Sequence, residues 1–194
     1  MLLFKGPRDQ ILEPLQAVCG IVEKRHTLPI LSNVLMEKEG NQLTLLATDI
    51  EIQIKTSTAA ASGDKVALTV AARKLQDILR SLAEDAEVSL TLDEKRLQVK
   101  AGRSRFNLQT LPAEDFPRML LSDANQTRLK LSQKQFKRLL ALVQYAMAQQ
   151  DIRYYLNGIL FVAEGKSLIL VATDGHRLAL AQATLDTEIP KQEV

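Results

Sequence analysis

The sequence predicts an α+β fold in which one strand–helix–three-strand unit recurs, with antiparallel sheets covered on one side by helices. Three observations lead there. The chain matches itself at a fixed offset of 125 residues. Apolar residues switch between strand and helix periodicity in one repeated order. Gly- and Pro-bearing turns separate the runs.

The self-match comes first, because a repeat decides the architecture before any motif does. Leu31 to Asp49 falls on Leu156 to Asp174 without a gap. Leu31, Leu35, Glu39, Gly40, Leu43, Leu45, Ala47, Thr48 and Asp49 each meet the same residue type. Chance would supply about one or two such identities over that window. Upstream, Ile11, Leu15 and Val18 fall on Phe136, Leu140 and Val143, both sets at the spacing of one buried helix face.

In chain order, Leu2 to Lys5 is an apolar strand, and Arg8 to Val22 an amphipathic helix burying Ile11, Leu15, Val18 and Val22. Pro14 lies inside that helix, removes one backbone donor, and predicts a kink or a late effective start. Leu31 to Lys38, Gln42 to Ala47 and Glu51 to Ser57 read as strands, with a hairpin turn at Glu39-Gly40-Asn41 and Ile50, Ile52 and Ile54 alternating with polar neighbours. The order then repeats: strand Lys65 to Val70, helix Ala71 to Leu82 with Leu75, Ile78, Leu79 and Leu82 inward, and strands Glu87 to Leu92, Arg96 to Ala101 and Arg103 to Gln109. Leu111-Pro112-Ala113-Glu114-Asp115-Phe116-Pro117 breaks the periodicity and reads as a linker. The expected division is a complete domain over residues 1–120 and the N-terminal half of a second over 121–194, whose open strand edges should be sticky or marginally stable.

Composition excludes several classes. No apolar run approaches the roughly 20 residues that span a bilayer, and Met1-Leu2-Leu3-Phe4-Lys5 is too short and too soon charged for a signal peptide. The single cysteine, Cys19, rules out an intrachain disulfide framework or a thiolate metal cluster, and a cytoplasmic location is expected. A net charge of +2 is too slight for a protein that holds nucleic acid by charge alone. The absence of Trp argues against a stacking platform for single strands.

Several motifs, in order, carry a family resemblance: Thr27-Leu28-Pro29-Ile30-Leu31, Ala72-Arg73-Lys74, Gly102-Arg103-Ser104-Arg105-Phe106, the Leu111–Pro117 segment, Gln150-Asp151-Ile152-Arg153-Tyr154-Tyr155-Leu156-Asn157-Gly158, and Ala172-Thr173-Asp174-Gly175-His176-Arg177-Leu178-Ala179. Together they resemble the bacterial DNA polymerase β sliding clamp, a processivity factor, over essentially the whole chain. The resemblance implies a DNA-clamp fold with helices lining the inner face and sheets outside. It implies a three-domain subunit of which the third domain is absent here, and two subunits closing head to tail into a homodimeric ring. Implied partners are duplex DNA, held topologically and without sequence preference, and the replicative polymerase, clamp loader and repair polymerases, recruited through short linear motifs. The implied role is an accessory, non-catalytic subunit of a DNA-directed DNA polymerase holoenzyme, nucleoid-associated, with no cofactor and no metal. The fragment alone is not expected to close a ring.

Site residues follow from the same motifs. The resemblance puts Leu156, Thr173, Gly175, His176, Arg177 and Leu178 in a hydrophobic peptide cleft. Thr173 and Asp174 have a second reading as turn caps, because Thr48 and Asp49 repeat them; His176 and Arg177 have no such twin, since Glu51 and Ile52 stand there. Arg25, Arg73, Gln150, Arg153, Tyr154 and Tyr155 are expected to face DNA, where Arg and Tyr meet phosphates or stack on an exposed base. Against that stands half-buried packing of a tyrosine at a strand start. Lys134, Lys137 and Arg138, and Arg73 with Arg80, line helix faces that read either as solvated or as turned to DNA. Arg103, Arg105, Phe106 and Leu108 lie on the last strand of the first domain, read as its free edge and a subunit interface, or as an edge guarded by charge.

An enzyme is the first rival. Asp174 and His176 have no orienting third group, and no nucleophile elbow, phosphate loop or metal spacing accompanies them. A scaffold that never touches DNA is the second.

Overall fold

The computed structural model describes residues 1–22, 28–60, 62–119 and 127–194. The chain divides into two compact units, Met1–Leu120 and Leu121–Val194. In the first the element order is β1 (Leu2–Pro7), α1 (Arg8–Cys19), β2 (Asn33–Glu39), β3 (Gln42–Thr48), β4 (Gln53–Ala59), β5 (Val66–Ala71), α2 (Ala72–Ser81), β6 (Glu87–Asp93), β7 (Arg96–Ala101) and β8 (Ser104–Leu111). This is strand–helix–three strands, twice.

All eight strands join one sheet in the order β1-β6-β7-β8-β5-β2-β3-β4, every pairing antiparallel. The first strand of each half crosses to the other half: β1 pairs β6, and β5 pairs β2. The halves are therefore interlocked rather than side by side. One core holds them, with Ile11, Leu15 and Val18 of α1, Leu75 and Leu79 of α2, and inward strand residues such as Phe4, Met36, Leu45, Val70, Leu90 and Val99. Lys38, buried beside this core, donates from Nζ to the Leu2 carbonyl at 2.8 Å, tying β2 to β1.

Pro14 does not delay α1, which starts at Arg8 as expected and ends at Cys19, three residues before the expected Val22. The carbonyl four residues earlier, Gln10 O, loses its backbone donor to the proline ring. Thr58 on β4 donates to it instead at 2.9 Å, and Thr56 donates to Pro14 O at 3.0 Å. Two other expectations are corrected. β4 begins at Gln53, because Asp49 Oδ1 accepts from the Glu51 and Ile52 amides and holds them in a turn. Ile50 and Ile52 are consequently exposed rather than strand-interior. The segment 29–32 is a short 3₁₀ turn, not the start of β2.

The second unit contains α3 (Gln133–Val143), β9 (Leu160–Thr173) and β10 (Leu178–Glu193). Ser132 caps α3, its hydroxyl accepting from Gln135 N at 3.2 Å. Leu139 and Val143 are the buried positions of this helix. Phe136, expected inward, is more than a third exposed and leans on Phe161, ring centroids 6.1 Å apart.

The duplication survives at the level of register. All seven β3–β4 pairs, from Gln42↔Ala59 to Thr48↔Gln53, reappear 125 residues on, from Ser167↔Thr184 to Thr173↔Leu178. Gly165 (φ +57) repeats the left-handed backbone of Gly40 (φ +59). Further along β10, Gln192 and Glu193 pair with Ala163 and Val162, displaced by one residue from the β2–β5 register.

Candidate functional site

The loop between β9 and β10 is built bond for bond like the loop between β3 and β4. Thr48 Oγ1 donates to Ile52 O at 2.7 Å, and Thr173 Oγ1 donates to Arg177 O at 2.7 Å. The same hydroxyls accept from Ile50 N and Gly175 N. Asp49 Oδ1 accepts from Glu51 N and Ile52 N; Asp174 Oδ1 accepts from His176 N and Arg177 N. Thr173 and Asp174 thus build a turn, as their twins do, and their polar atoms are committed to it. These backbone donors, His176 first and Arg177 second, hold the Asp174 carboxyl below the usual carboxylate range.

On this shared frame the second copy carries different side chains. Gly175 (φ +88) stands where copy one has Ile50 (φ +84), and His176, Arg177 and Leu178 stand for Glu51, Ile52 and Gln53. All four residues, Gly175 to Leu178, are exposed. Arg177 is held from two sides: its Nε donates to Asp174 Oδ2 at 2.9 Å, and its guanidinium lies 5.7 Å from the Tyr145 ring centroid. Sequence reasoning missed Tyr145, which belongs to no repeated motif; its exposed ring (59%) just after α3 is visible only once the loop is built.

A second loop packs beneath the first. Asp151 N donates to Asn157 Oδ1 and Asn157 Nδ2 donates back to Asp151 O, closing residues 151–157 with a reciprocal amide clamp. Arg153 forks onto Asp151, Nε to Oδ1 at 3.1 Å and Nη2 to Oδ2 at 2.9 Å, with a longer contact to Asp174 O. That fork is the main reason the Asp151 carboxyl falls to about 2. The guanidinium also lies so close to Gly175 that a Cβ there would sit 3.2 Å from Nη1 and Nη2. Glycine at 175 takes this left-handed backbone without strain and leaves Arg153 room that a Cβ would crowd.

Of the residues expected to face DNA, Gln150 (φ +57) and Arg153 belong to this loop, and Tyr154 and Tyr155 open a 3₁₀ turn, Tyr154–Asn157. The tyrosines are 82% and 68% exposed and meet edge to face at 5.9 Å. The half-buried strand-start reading fails for both. Arg73, in the first unit, donates from Nη2 to Val22 O at 2.5 Å, just beyond α1, so one arm of its guanidinium has a structural role. Arg25 lies outside the described residues. Lys134, Lys137 and Arg138 are exposed on α3, and Arg80 on α2.

The peptide-cleft residues separate into two neighbouring groups. Gly175, His176, Arg177 and Leu178 form the loop, whereas Leu156 and Thr173 line an apolar cavity of about 290 Å³ with Tyr155, Gly158, Leu160, Val171 and Ala172. Arg103, expected to begin the last strand, is exposed in the turn before β8; on β8 itself Arg105 is exposed, Phe106 packs partly against the core, and Leu108 is a core residue, opposite Leu97. That strand is not last in the sheet order, as a free edge would be: Thr110 and Leu111 pair with β5. Among the described residues, Ser104 to Gln109 pair only with β7, so the edge is free over that stretch. Among the described residues, no three His, Cys, Asp or Glu side chains are grouped to hold a metal ion, and no helix is long and apolar enough to cross a membrane.

Residues 2–120 match the family of DNA polymerase III beta subunits, N-terminal domain, and residues 130–194 match the central domain of the same subunit. The beta sliding clamp of Pseudomonas aeruginosa is 47% identical over 194 residues, covering 98% of this chain and 51% of that protein. A crystal structure of the DNA polymerase III subunit beta from P. aeruginosa superposes with a TM-score of 0.89 at 43% identity, covering 99% of this chain and 52% of that one. Another, of a sliding clamp from the same organism bound to griselimycin, gives 0.87 at 43% identity, covering 100% and 53%. The chain spans about half the length of the relatives it matches.

Proposed function

The chain belongs to the DNA polymerase III beta-subunit family, and on that premise we propose that it is part of a sliding clamp, a ring that encircles duplex DNA and tethers the replicative polymerase. Residues 1–120 form the first clamp domain, and residues 121–194 are the N-terminal part of the second. The observation that carries this reading is the register-preserving duplication, since a ring is most simply made from repeats of one curved unit. It also makes sense of the slight net charge: topology holds the DNA, so phosphate contacts need only be weak and sliding. The protein acts as a non-catalytic accessory subunit of the holoenzyme, in the cytoplasm at the nucleoid.

The exposed Tyr154–Tyr155 pair, with Gln150 and Arg153, forms the DNA-facing patch of the second unit, and Arg73 and Arg25 serve the first. The free stretch of β8 and the turn before it, with Arg103 and Arg105 outward and Phe106 and Leu108 beneath, is the subunit interface. The loop Gly175–Leu178, with Leu156 and Thr173 beside it, receives short linear motifs of the clamp loader, replicative polymerase and repair polymerases; Arg177, pre-set by Asp174 and Tyr145, is its polar anchor.

Topology is the deciding test. A polypeptide of the relatives' length, loaded on nicked circular plasmid, should fall off when the plasmid is linearised; equal retention on both forms refutes the ring. For the loop, a Gln-x-x-Leu-Phe peptide should bind that longer polypeptide, and Arg177→Ala or Leu178→Ala should weaken it on the order of tenfold, each removing about 1–2 kcal/mol of contact. The 194-residue chain should bind the same peptide weakly. Submicromolar binding by it would mean the cleft lies elsewhere.

A further inference from the structure

The sheet of the first unit carries apolar side chains on both faces. Val34, Met36, Leu45 and Ala47 enter the main core. Leu35 and Leu46, opposite each other on β2 and β3, alternate with them and so face the other way. There they form a separate cluster with Ile30, and Ala113 and Phe116 close over it like a strap. The Phe116 amide donates to Ala113 O at 3.2 Å, a turn that brings both side chains down while Glu114 and Asp115 stay exposed. Phe116 is 3% exposed, and beneath it Leu35 is 0% and Leu46 6% exposed.

The cover and the surface it covers are held by different bonds. Leu35 and Leu46 sit in the ladders of β2 with β3 and β5 and of β3 with β4, none of which contains a strap residue. The strap is rooted at Leu111, whose carbonyl accepts from Thr69 Oγ1 at 3.3 Å; the same hydroxyl accepts from Asn33 Nδ2 at 3.0 Å. Beyond this root, Pro112 and Pro117 have no amide with which to join a ladder. Besides the Phe116 ring, the strap is fastened by Arg118 on Glu37 (2.9 Å), side chains 45% and 30% exposed, and by Met119 N on Gln53 Oε1 (3.0 Å). Lifting it breaks these two contacts and one small apolar cluster and leaves every ladder standing. Such an opening lies well below the unfolding of the main core in free energy.

We propose that the strap is a dissociable plug, an intramolecular ligand that keeps a peptide groove of the first unit closed to other segments. Its seat defines what the groove accepts. Ile30, Leu35 and Leu46 take an aromatic ring, with a small apolar residue three positions before it. Glu37 takes a cation two positions after the ring. The ligand class is therefore a segment of the pattern Ala-x-x-Phe-Pro-Arg, as in residues 113–118. A segment tethered in the same chain outcompetes a free one of equal sequence through its effective concentration, so the groove binds in trans only weakly until the plug is unseated. The inference rests on the first unit alone and is independent of the DNA-encircling role.

The test uses the 194-residue chain with labelled Ile and Leu methyls and a synthetic nonapeptide of the Leu111–Met119 sequence. In the unaltered chain, hydrogen exchange should show the Phe116 and Met119 amides at least a hundredfold less protected than the ladder amides of Leu35 and Leu46. In Phe116→Ala, the Leu45 and Leu75 methyls should keep their positions, marking an intact core. The peptide should then shift the Ile30, Leu35 and Leu46 methyls saturably, with a Kd between about 0.1 and a few mM, as suits one anchoring ring. The unaltered chain should bind it at least tenfold more weakly. Ala for the peptide's Phe should abolish the shifts. Glu for its Arg should weaken them, and Glu37→Arg in the Phe116→Ala chain should restore binding of that Glu peptide. The proposal is overturned by equal protection of strap and ladder amides, or by a Phe116→Ala chain that fails to fold, since either makes the strap part of the core. Equally decisive against it are no saturable shift, shifts confined to the second unit, an equal response to the Ala peptide, or equal binding by both chains.

Discussion

Ile50 holds φ +84 in the loop between β3 and β4, a region where a β-branched residue is an outlier. Its twin 125 residues on is Gly175 at φ +88, which adopts the same turn without a Cβ to clash. Strain of this kind costs on the order of 1–3 kcal/mol, and Ile50 recovers little of it by burial, being half exposed. Ile50→Gly should therefore stabilise the first unit by about 1 kcal/mol after the extra chain entropy of glycine is subtracted, raising its melting temperature by a few degrees. The mirror change, Gly175→Ala, should destabilise the second unit by about 1–2 kcal/mol and push Arg153 off the loop. Opposite signs in the two melts are the expected signature, and a destabilising Ile50→Gly would show that the isoleucine makes a contact worth more than its strain. Asp151 gives a pH prediction at the same scale. Arg153 lowers its carboxyl from 3.8 to about 2 in the folded chain. A group whose pKa falls on folding contributes stability that is fully present above its unfolded value and is lost as pH drops through the folded one. Acid titration of the second unit should thus show loss between about pH 4 and pH 2, and Asp151→Asn should shrink that limb to the part Asp174 contributes, while leaving the first unit unchanged. An unaltered acid limb in the variant would mean the fork does not persist in solution.

α1 illustrates how an element survives a residue that ought to break it. Pro14 withholds the amide that Gln10 O needs, and the hydroxyl of Thr58, on β4, takes its place. Because this carbonyl is near solvent, Thr58→Val should cost only about 0.5–1 kcal/mol. Pro14→Ala restores an amide to the same carbonyl, so the loss from Thr58→Val should shrink in that background. A double-mutant cycle reads the coupling directly; additive losses would show the hydroxyl to be incidental. The elements themselves were largely legible beforehand, because their apolar positions repeat at strand or helix spacing and the second copy corroborated the first. What sequence alone could not supply was the partner of each irregularity. Pro14 announced a missing bond but not Thr58, and Ile50 and Ile52 imitated strand alternation although Asp49 turns the chain there. The site divides in the same way. Thr173 to Leu178 could be picked out by motif and by contrast with Thr48 to Gln53, whereas Arg153 folding back on Asp151, Arg177 lying over Tyr145, and Phe116 closing the first groove depend on contacts between residues that no periodicity links.

At the scale of the whole molecule, one ancestral pattern yields two units with very different cores. The first buries large side chains from two helices and both half-sheets, among them Phe4, Ile11, Leu15, Met36, Leu75 and Leu79. The core of the second draws on one helix and a two-stranded sheet, and Ala146, Ala163, Ala172, Ala179 and Ala181 make up much of it. An alanine removes far less apolar surface from water than a leucine, at roughly 25 cal/mol per Å², and a two-stranded sheet with one covering helix is near the lower limit of what holds together alone. The large exposed side chains along the second unit, Leu160, Leu178 and Leu180, add little to that balance. The second unit should accordingly open first. Native-state hydrogen exchange should give the β9 and β10 amides around Leu168 to Ala172 an opening free energy several kcal/mol below that of the β2 and β3 amides around Met36 and Leu45. Leu170→Ala should drive residues 163–185 to the unprotected limit, whereas Leu45→Ala, losing about 2–5 kcal/mol from a much larger core, should leave the first unit folded at low temperature. Equal protection of the two strand pairs would mean that the second unit draws stability from something beyond its own small core.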